Sequence, residues 1–277
     1  MDGDWDVRTR AADPTLRPYV AGYIGYRQTG GTPGRHRGLP SPYLTMIVAI
    51  DDPLTMLTHP DPADPAGDFW TLVGGLHSRP ALIGHPGRQA GVQIALRPLA
   101  ARGLFGLPAG ELSHRDVPGE ALLGPLAAEL HDRVHSAADW EQRFAAVDSV
   151  LLRVLRPERG VRSEIVHAWA TLERSNGGIR IAELADEVGF SPRHLDTLLH
   201  RETGLGPKTA ARVFRFDRAT RLLAAGTPIA AVAAACGYAD QSHLTREFTA
   251  LAGCSPGTWV AEEFRIVQDD EADQLAA

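Results

Sequence analysis

Histidines and cysteines are the residues of this sequence that could carry metal or redox chemistry. The first half of the chain contains His36, His59, His77, His85 and His114. These histidines are scattered, without the close histidine pair and following glutamate that a cupin-type metal site uses. The two cysteines, Cys236 and Cys254, are too few for a disulfide framework or a cysteine zinc cage. We therefore predict no metal and no cofactor.

Motifs for covalent or nucleotide chemistry are also missing from the sequence. It contains no Gly-x-Ser-x-Gly elbow, no Walker loop and no dinucleotide fingerprint. We predict no catalytic residue and expect the protein not to be an enzyme. A cupin-like metal enzyme in the first half of the chain is kept as a weaker alternative.

Composition indicates a globular protein of two domains. The chain has 277 residues, of which 44% are hydrophobic and 22% charged. The longest apolar stretches, Met46 to Ile50 and Ile229 to Cys236, are far shorter than a membrane span. Residues 1–6 are acidic and polar, unlike a secretion signal. We therefore predict a cytoplasmic protein with no membrane partner.

The first half of the chain is predicted to be rich in strands. Tyr43 to Ile50, Trp70 to Val73 and Val92 to Leu96 are rich in β-branched, aromatic or alternating apolar residues. The segment His59 to Gly67 contains three prolines, which exclude a helix or a central strand. We expect a small, irregular β-barrel or sandwich, so that the whole chain belongs to the α+β class.

Helices are predicted to follow these strands. The pattern favours helices over Leu99 to Phe105, Ala121 to Val134 and Asp139 to Leu155, with Asp139 capping the last one. The apolar stripe of that last helix must be buried. It packs either on the barrel of its own chain or across a dimer.

A domain boundary is predicted where this helical region ends. Residues 156–160 are polar and include a helix-breaking proline. We predict one domain over 1–156 and a second over 161–264. The acidic segment 267–277 is predicted to be a disordered tail.

An internal repeat occupies the second half of the chain. An offset of 48 residues aligns Ile181 to Phe190 with Ile229 to Tyr238, and an offset of 49 aligns His194 to Pro207 with His243 to Pro256. Each copy has the parts of a helix-turn-helix unit: a small residue at a helix crossing, a glycine that ends the first helix, and a cap for the second, which is Ser191 in the first copy and Asp240 in the second. Two copies in register are far more specific than one.

A long helix is predicted to join the two units. Lys208 to Ala225 forms about 18 helical residues, or roughly 27 Å, closed by Gly226 and Pro228. Second helices held by such a spacer could enter successive major grooves, which lie about 34 Å apart. The C-terminal domain is therefore predicted to be all-α, with two helix-turn-helix units.

The second unit and the segment after it resemble the AraC/XylS family of transcription regulators. The resemblance is carried by Gly237 to Phe248 (GYADQSHLTREF) and Gly253 to Pro256 (GCSP), and it covers about residues 161–264. More loosely, Leu16 to Val20 and Leu96 to Pro98 are similar to the sensor-type domain of actinobacterial regulators. The resemblance implies a bacterial regulator that binds double-stranded promoter DNA.

The same resemblance implies partners for the N-terminal domain. In the family this domain senses an effector or dimerises, so we expect an unidentified small-molecule effector and a homodimer. If the protein is an activator, RNA polymerase is a further expected partner.

Carried over by position, the resemblance implies which residues contact DNA. The reading helices are 192–203 and 240–251. The residues expected to read base edges are Arg193, Asp196, Thr197, Gln241, Ser242, Thr245 and Arg246. Those expected to contact phosphates are His194, Arg201, Lys208, Arg212, Arg215 and His243. Some of these arginines are expected to pair with Glu202 and Asp217 instead, and the two histidines are equally suited to half-buried packing.

The charge of the C-terminal domain leaves one rival interpretation open. Residues 160–266 contain as many acidic as basic residues, whereas DNA-binding domains are commonly basic. This balance is compatible with a helical adaptor that binds a protein partner instead of DNA.

Overall fold

A computed structural model describes residues 4–157 and 160–263, so the predicted tail 267–277 lies outside the described residues. The strands in chain order are β1 Asp4–Arg10, β2 Val20–Thr29, β3 Gly34–Gly38, β4 Leu44–Ala49, β5 Leu54–Thr58, β6 Gly67–Phe69, β7 Thr71–Gly74, β8 Ala81–His85, β9 Gln89–Leu96 and β10 Asp116–Pro118. The helices are α1 Ala101–Phe105, α2 Glu120–Leu123, α3 Leu126–Ser136, α4 Trp140–Val154, α5 Ser163–Arg174, α6 Ile181–Glu187, α7 Pro192–Thr203, α8 Pro207–Ala224, α9 Ile229–Ala235, α10 Gln241–Ala252 and α11 Pro256–Glu263. Short 3-10 helices cover Pro98–Ala100 and Ala109–Leu112.

The strands form two antiparallel sheets. The first has the order β1-β2-β9-β4-β7-β10 and the second the order β3-β8-β5-β6. The α+β class and the sandwich are confirmed, whereas a closed barrel is not what the described strands form. The three predicted strands correspond to β4, β7 and β9.

Alternation along β9 gives the first sheet two different faces. Val92, Ile94 and Leu96 are fully buried on the face that packs against the helices of the N-terminal half. Gln93 and Ala95 point the other way, into the space between the two sheets. Helices therefore cover one face of the sheet, and a cavity lies on the other.

One predicted helix is in fact two. The expected helix over 121–134 is interrupted because Gly124 adopts a φ of 56° and Pro125 lies directly before α3 as its N-cap residue. The prediction for α4 is confirmed, since Asp139 accepts a hydrogen bond from the Gln142 amide at 2.8 Å. The apolar stripe of α4 is buried within its own chain, where Phe144 stacks on the ring of Tyr23 at 5.8 Å.

The C-terminal helices form the two predicted units, α6 with α7 and α9 with α10, joined by the 18 residues of α8. Gly189 and Gly237 have φ values of 70° and 72°, which explains why each first helix ends at a glycine. Within the described residues, no helix is both long and apolar enough to cross a membrane.

The hydrophobic cores do not follow the predicted domain boundary. One continuous core joins the N-terminal sheet and helices to the first helix-turn-helix unit and includes Phe214 of α8. A separate core holds the second unit together and includes Phe216 of the same helix. The first unit is therefore packed on the N-terminal half, and the second is built mainly on its own apolar residues.

Candidate nucleic-acid interface

Helix α7 exposes the face on which the first set of reading residues was predicted. It begins at Pro192, and the Ser191 hydroxyl accepts a hydrogen bond from the His194 amide at 3.3 Å. Leu195 and Leu199 are fully buried and anchor the helix. Arg193, Asp196 and Thr197 are exposed. Their placement leaves them accessible to a macromolecular partner.

Helix α10 repeats this arrangement. The Asp240 carboxylate accepts a hydrogen bond from the His243 amide at 2.6 Å, and Leu244 and Phe248 are fully buried. The other side presents exposed Gln241, Ser242 and Arg246 and half-buried Thr245. Arg246 and Gln241 can form bidentate contacts with guanine and adenine.

The two reading threonines have the same internal contact. The Thr197 hydroxyl donates to the Arg193 carbonyl at 3.1 Å, and the Thr245 hydroxyl donates to the Gln241 carbonyl at 2.9 Å. Each hydroxyl proton is therefore engaged within its helix. What remains available at both positions is a methyl group and an acceptor oxygen.

Asp196 lies close to the start of the next helix. A methyl group placed on Gly206, the residue before α8, would lie 2.4 Å from Oδ1 of Asp196. A carboxylate at this end of a helix is electrostatically favourable. Asp196 therefore contacts its own domain on one side and solvent on the other.

The two predicted phosphate-binding histidines occupy equivalent places. Their rings meet an aromatic edge of the preceding turn, His194 against Phe190 at 4.9 Å and His243 against Tyr238 at 5.4 Å. In addition, Nδ1 of His243 accepts a hydrogen bond from the Ala239 amide at 3.3 Å. In the neutral ring the proton then resides on Nε2, which is suited to donate to a phosphate oxygen.

The arginines predicted to contact phosphates have acidic partners inside the protein. Arg201 pairs with Glu202 at 2.9 Å. Arg212 and Arg215 both pair with Glu247, at 3.0 and 3.9 Å. The sequence predicted Glu202, which does pair with Arg201, and Asp217, which pairs with Arg221 at 3.2 Å, but it did not indicate Glu247. The sequence feature that could have indicated a shared acidic partner is the one-turn spacing of Arg212 and Arg215, which places both on one face of α8.

Lys208 differs from these arginines. It is exposed at the start of α8 and has no ionic partner among the residues that the structure describes. Among the predicted phosphate contacts it is therefore the cation whose charge is least compensated inside the protein.

A cavity of about 690 Å³ lies between the two sheets and reaches the C-terminal helices. Its apolar wall includes Ile24, Ile47, Leu54, Met56, Leu72 and Ile83. The end near α5 and α8 is polar and includes Arg97, Glu173, Arg174, Asp217 and Arg221. This volume and mixture of surfaces suit a small amphipathic molecule.

Two of the histidines considered for metal binding, His36 and His77, line this cavity. His36 is buried at its wall, and burial, with a smaller effect from the ring of His85, lowers the pKa of His36 to about 4. His59 is hydrogen bonded to Asp116 at 2.8 Å, and both side chains are buried. Among the described residues, no three histidine, cysteine or acidic side chains converge as a metal site.

Comparison with known proteins shows to which kind of domain the C-terminal helices belong. Residues 184–262 match a family model described as a helix-turn-helix domain, and residues 8–118 match one described as a domain of unknown function, DUF6597. The C-terminal half carries a helix-turn-helix domain of the AraC type. The recognition made from GYADQSHLTREF is therefore confirmed for this domain.

A curated relative shares part of this AraC-type region. The HTH-type transcriptional regulator Rv1931c of Mycobacterium tuberculosis is 33% identical over 84 residues, covering 30% of this chain and 32% of that protein. The match thus spans about a third of the relative's length.

Solved structures share the fold of most of this chain. ToxT from Vibrio cholerae O395 has a TM-score of 0.50 at 11% identity, covering 94% of this chain and 97% of that chain. An apo ToxT variant from strain SCE256 has a TM-score of 0.51 at 9% identity, with the same coverage. At such identity the likeness concerns the fold.

Proposed function

We propose that this protein is a sequence-specific, DNA-binding transcription regulator without catalytic activity. The observation that carries the proposal is the pair of equivalent reading helices, each capped at its start, anchored by buried apolar residues and open on its other face. Such a pair fits two adjacent major-groove segments on one side of a duplex. The AraC-type domain match supports the same conclusion.

Base reading is proposed for the exposed side chains of the two helices. The set comprises Arg193, Asp196, Thr197, Gln241, Ser242, Thr245 and Arg246. Arg246 is the strongest candidate, because it is exposed on a well-anchored helix and can bind guanine O6 and N7 together. Asp196 is the weakest, because its carboxylate already lies against Gly206.

Phosphate contacts are proposed for a second set. It comprises His194, Arg201, Lys208, Arg212, Arg215 and His243. The internal ion pairs of the three arginines reduce the charge that they offer, so Lys208 and the Nε2 proton of His243 are the leading members. A modest salt dependence of DNA binding follows.

The N-terminal half, residues 1–156, is proposed to bind a small-molecule effector in the cavity between its sheets. Effector binding would then control DNA binding by residues 161–264. A homodimer and, for an activator, contact with RNA polymerase complete the proposal. Because the apolar stripe of α4 is buried in its own chain, a dimer would use another surface.

The decisive test is selection of bound sequences from a random duplex library with the full chain. We expect a motif of two adjacent half-sites whose affinity falls as salt rises. In Arg246→Ala, affinity for the selected duplex should fall by about tenfold to a hundredfold, and base preference should relax in one half-site only. Fluorescence anisotropy over a salt series measures both effects.

Arg180→Ala is the matched control, since Arg180 is an exposed arginine at the start of α6 paired weakly with Glu183 at 3.8 Å. It should bind like the wild type. If no motif emerged and affinity stayed negligible at low salt, the regulator proposal would fail. Salt-independent capture of a protein partner would then favour the adaptor.

A further inference from the structure

The two reading helices differ in charge at a buried position near their C-terminal ends. The offset of 49 that aligns α7 with α10 places Glu202 on Leu251. Leu251 is buried in the core of the second unit, as a helix of this kind requires. Glu202 is also buried, with only 4% of its side chain exposed. The first unit thus buries a carboxylate where the second buries a leucine.

The N-terminal half supplies the partner of this carboxylate. Arg102 of α1 donates from Nε to one carboxylate oxygen at 2.7 Å and from Nη2 to the other at 3.0 Å. Arg201, the neighbour of Glu202 on α7, adds a contact at 2.9 Å. A forked arginine pair fixes the orientation of both groups, which a single point charge does not.

Electrostatics agree with this geometry. Burial on its own would raise the pKa of Glu202, but the guanidinium groups of Arg102 and Arg201 outweigh burial and hold the pKa below its usual value. Glu202 is therefore ionised in the folded protein. Without Arg102, a buried charge would keep only the exposed Arg201 as its partner.

The backbone of the N-terminal half packs tightly against the same end of α7. The Ser113 hydroxyl donates to the Gly204 carbonyl at 3.0 Å. A methyl group on Gly110 would lie 2.3 Å from the carbonyl oxygen of Arg201. The second unit meets the N-terminal half more lightly, through an Arg37–Glu262 pair at 2.8 Å, Pro80 beside Gly253, and Leu39 packed against its core.

We propose that Arg102 is a positioning residue for the first reading helix: through Glu202 it fixes α7 on the N-terminal half, so that this half sets how the first half-site is read. The second reading helix is held by its own core and does not depend on this contact. The inference rests on the proposed DNA-binding function.

The test uses the full chain and the duplex selected by the wild type, with the half-site of α10 assigned by Arg246→Ala. The half-site read by α7 is called the α7 half-site, and the one read by α10 is called the α10 half-site. For the Arg102→Ala protein, base substitutions in the α7 half-site of the duplex should lose at least three-quarters of their effect on affinity. Substitutions in the α10 half-site should keep theirs. Amide hydrogen exchange in α7 should accelerate about tenfold or more, with exchange in α10 unchanged.

Three further variants show that the contact itself is responsible. Arg88→Ala is the matched control, because Arg88 makes the same fork on Asp52, at 2.6 and 3.0 Å, on the exposed surface. It should behave like the wild type. Arg102→Lys should restore only part of the discrimination. The double variant Arg102→Ala with Glu202→Leu should recover slow exchange in α7, since leucine is what the second unit has there.

The outcomes separate this inference from the proposed function. Unchanged half-site discrimination and unchanged exchange in α7 of Arg102→Ala would overturn the positioning role. Faster exchange throughout both units would also overturn it, because the effect would then be general destabilisation. If the wild type selected no duplex at all, the regulator function would fail, and the exchange measurements alone would decide whether Arg102 holds α7.

Discussion

His36 lies at the wall of the cavity, and its buried ring stays neutral until the pKa of about 4 is reached. In the unfolded chain the same ring takes up a proton near pH 6.5. Between these values the unfolded state binds more protons, so the free energy of unfolding must fall as pH is lowered. This loss approaches about 1 kcal/mol per pH unit for one such histidine.

We therefore expect His36→Gln to flatten the pH dependence of stability between about pH 6.5 and 4, whatever its effect on absolute stability. Urea unfolding at several pH values within this window measures the slope. Val166→Gln, at an exposed and non-titratable position of α5, is the control and should keep the wild-type slope. Equal slopes for all three proteins would contradict the burial of a neutral His36.

Residue types and spacing predicted which side chains lie on the surface of the reading helices, but they did not predict how these helices pack on the rest of the protein. Ser191 and Asp240 were recognised as caps because capping is a local property of one turn. The fork between Arg102 and Glu202 joins residues a hundred positions apart, and no local pattern indicates it. The DNA contacts of individual side chains stay predictions.

At the scale of elements, the 3-10 helix Ala109–Leu112 sets how closely the N-terminal half approaches α7. Gly110→Ala would bring a methyl group within 2.3 Å of one carbonyl oxygen and 2.8 Å of another, so the two elements must separate. We expect a loss of about 1–3 kcal/mol in the free energy of unfolding, as for overpacking in general. Urea denaturation measures it.

Gly257→Ala is the matched control for this substitution. Gly257 lies in α11 with open space around the position of a Cβ atom. Alanine there should change stability by less than about 0.5 kcal/mol or increase it slightly. A Gly110→Ala protein as stable as this control would show that the close approach is easily relieved.

Helices with a clear apolar period were predicted well, as α4 and α8 show. The helix over 121–134 was wrong because periodicity continues through Gly124 and Pro125, although the backbone cannot. Short or polar strands such as β3 and β10 gave no usable signal. Their pairing comes from partners distant in sequence, and a single strand does not encode it.

At the scale of the whole molecule, the cavity joins the sheets of the N-terminal half to α5 and α8. The apolar wall and the arginines near α5 make an apolar carboxylate a suitable first probe here. At saturation, oleate should raise Tm by several degrees, since binding at about 100 times Kd contributes about 2.7 kcal/mol.

Ile47→Trp, which places a large ring in the cavity, should abolish this shift, and Val166→Trp on the exposed face of α5 should not. An unchanged Tm in the wild type would exclude long-chain carboxylates as effectors. Tyr23, Tyr43, Phe69 and Trp70 are aromatic residues at or next to strands of the N-terminal half. Of these, only Tyr43 lines the cavity, whereas Tyr23 is fully buried core and Trp70 is 44% exposed.

The buried acid of α7 also bears on how such proteins can recombine during evolution or in the laboratory. A chimera that joins residues 160–263 to a foreign N-terminal half inherits Glu202 with the exposed Arg201 but without the forked contact from Arg102. The second helix-turn-helix unit needs no such partner, because Leu251 is an apolar residue buried within the core of that unit. N-terminal halves are thus exchangeable in this chain only together with an arginine at the position of Arg102, or with an apolar residue at 202.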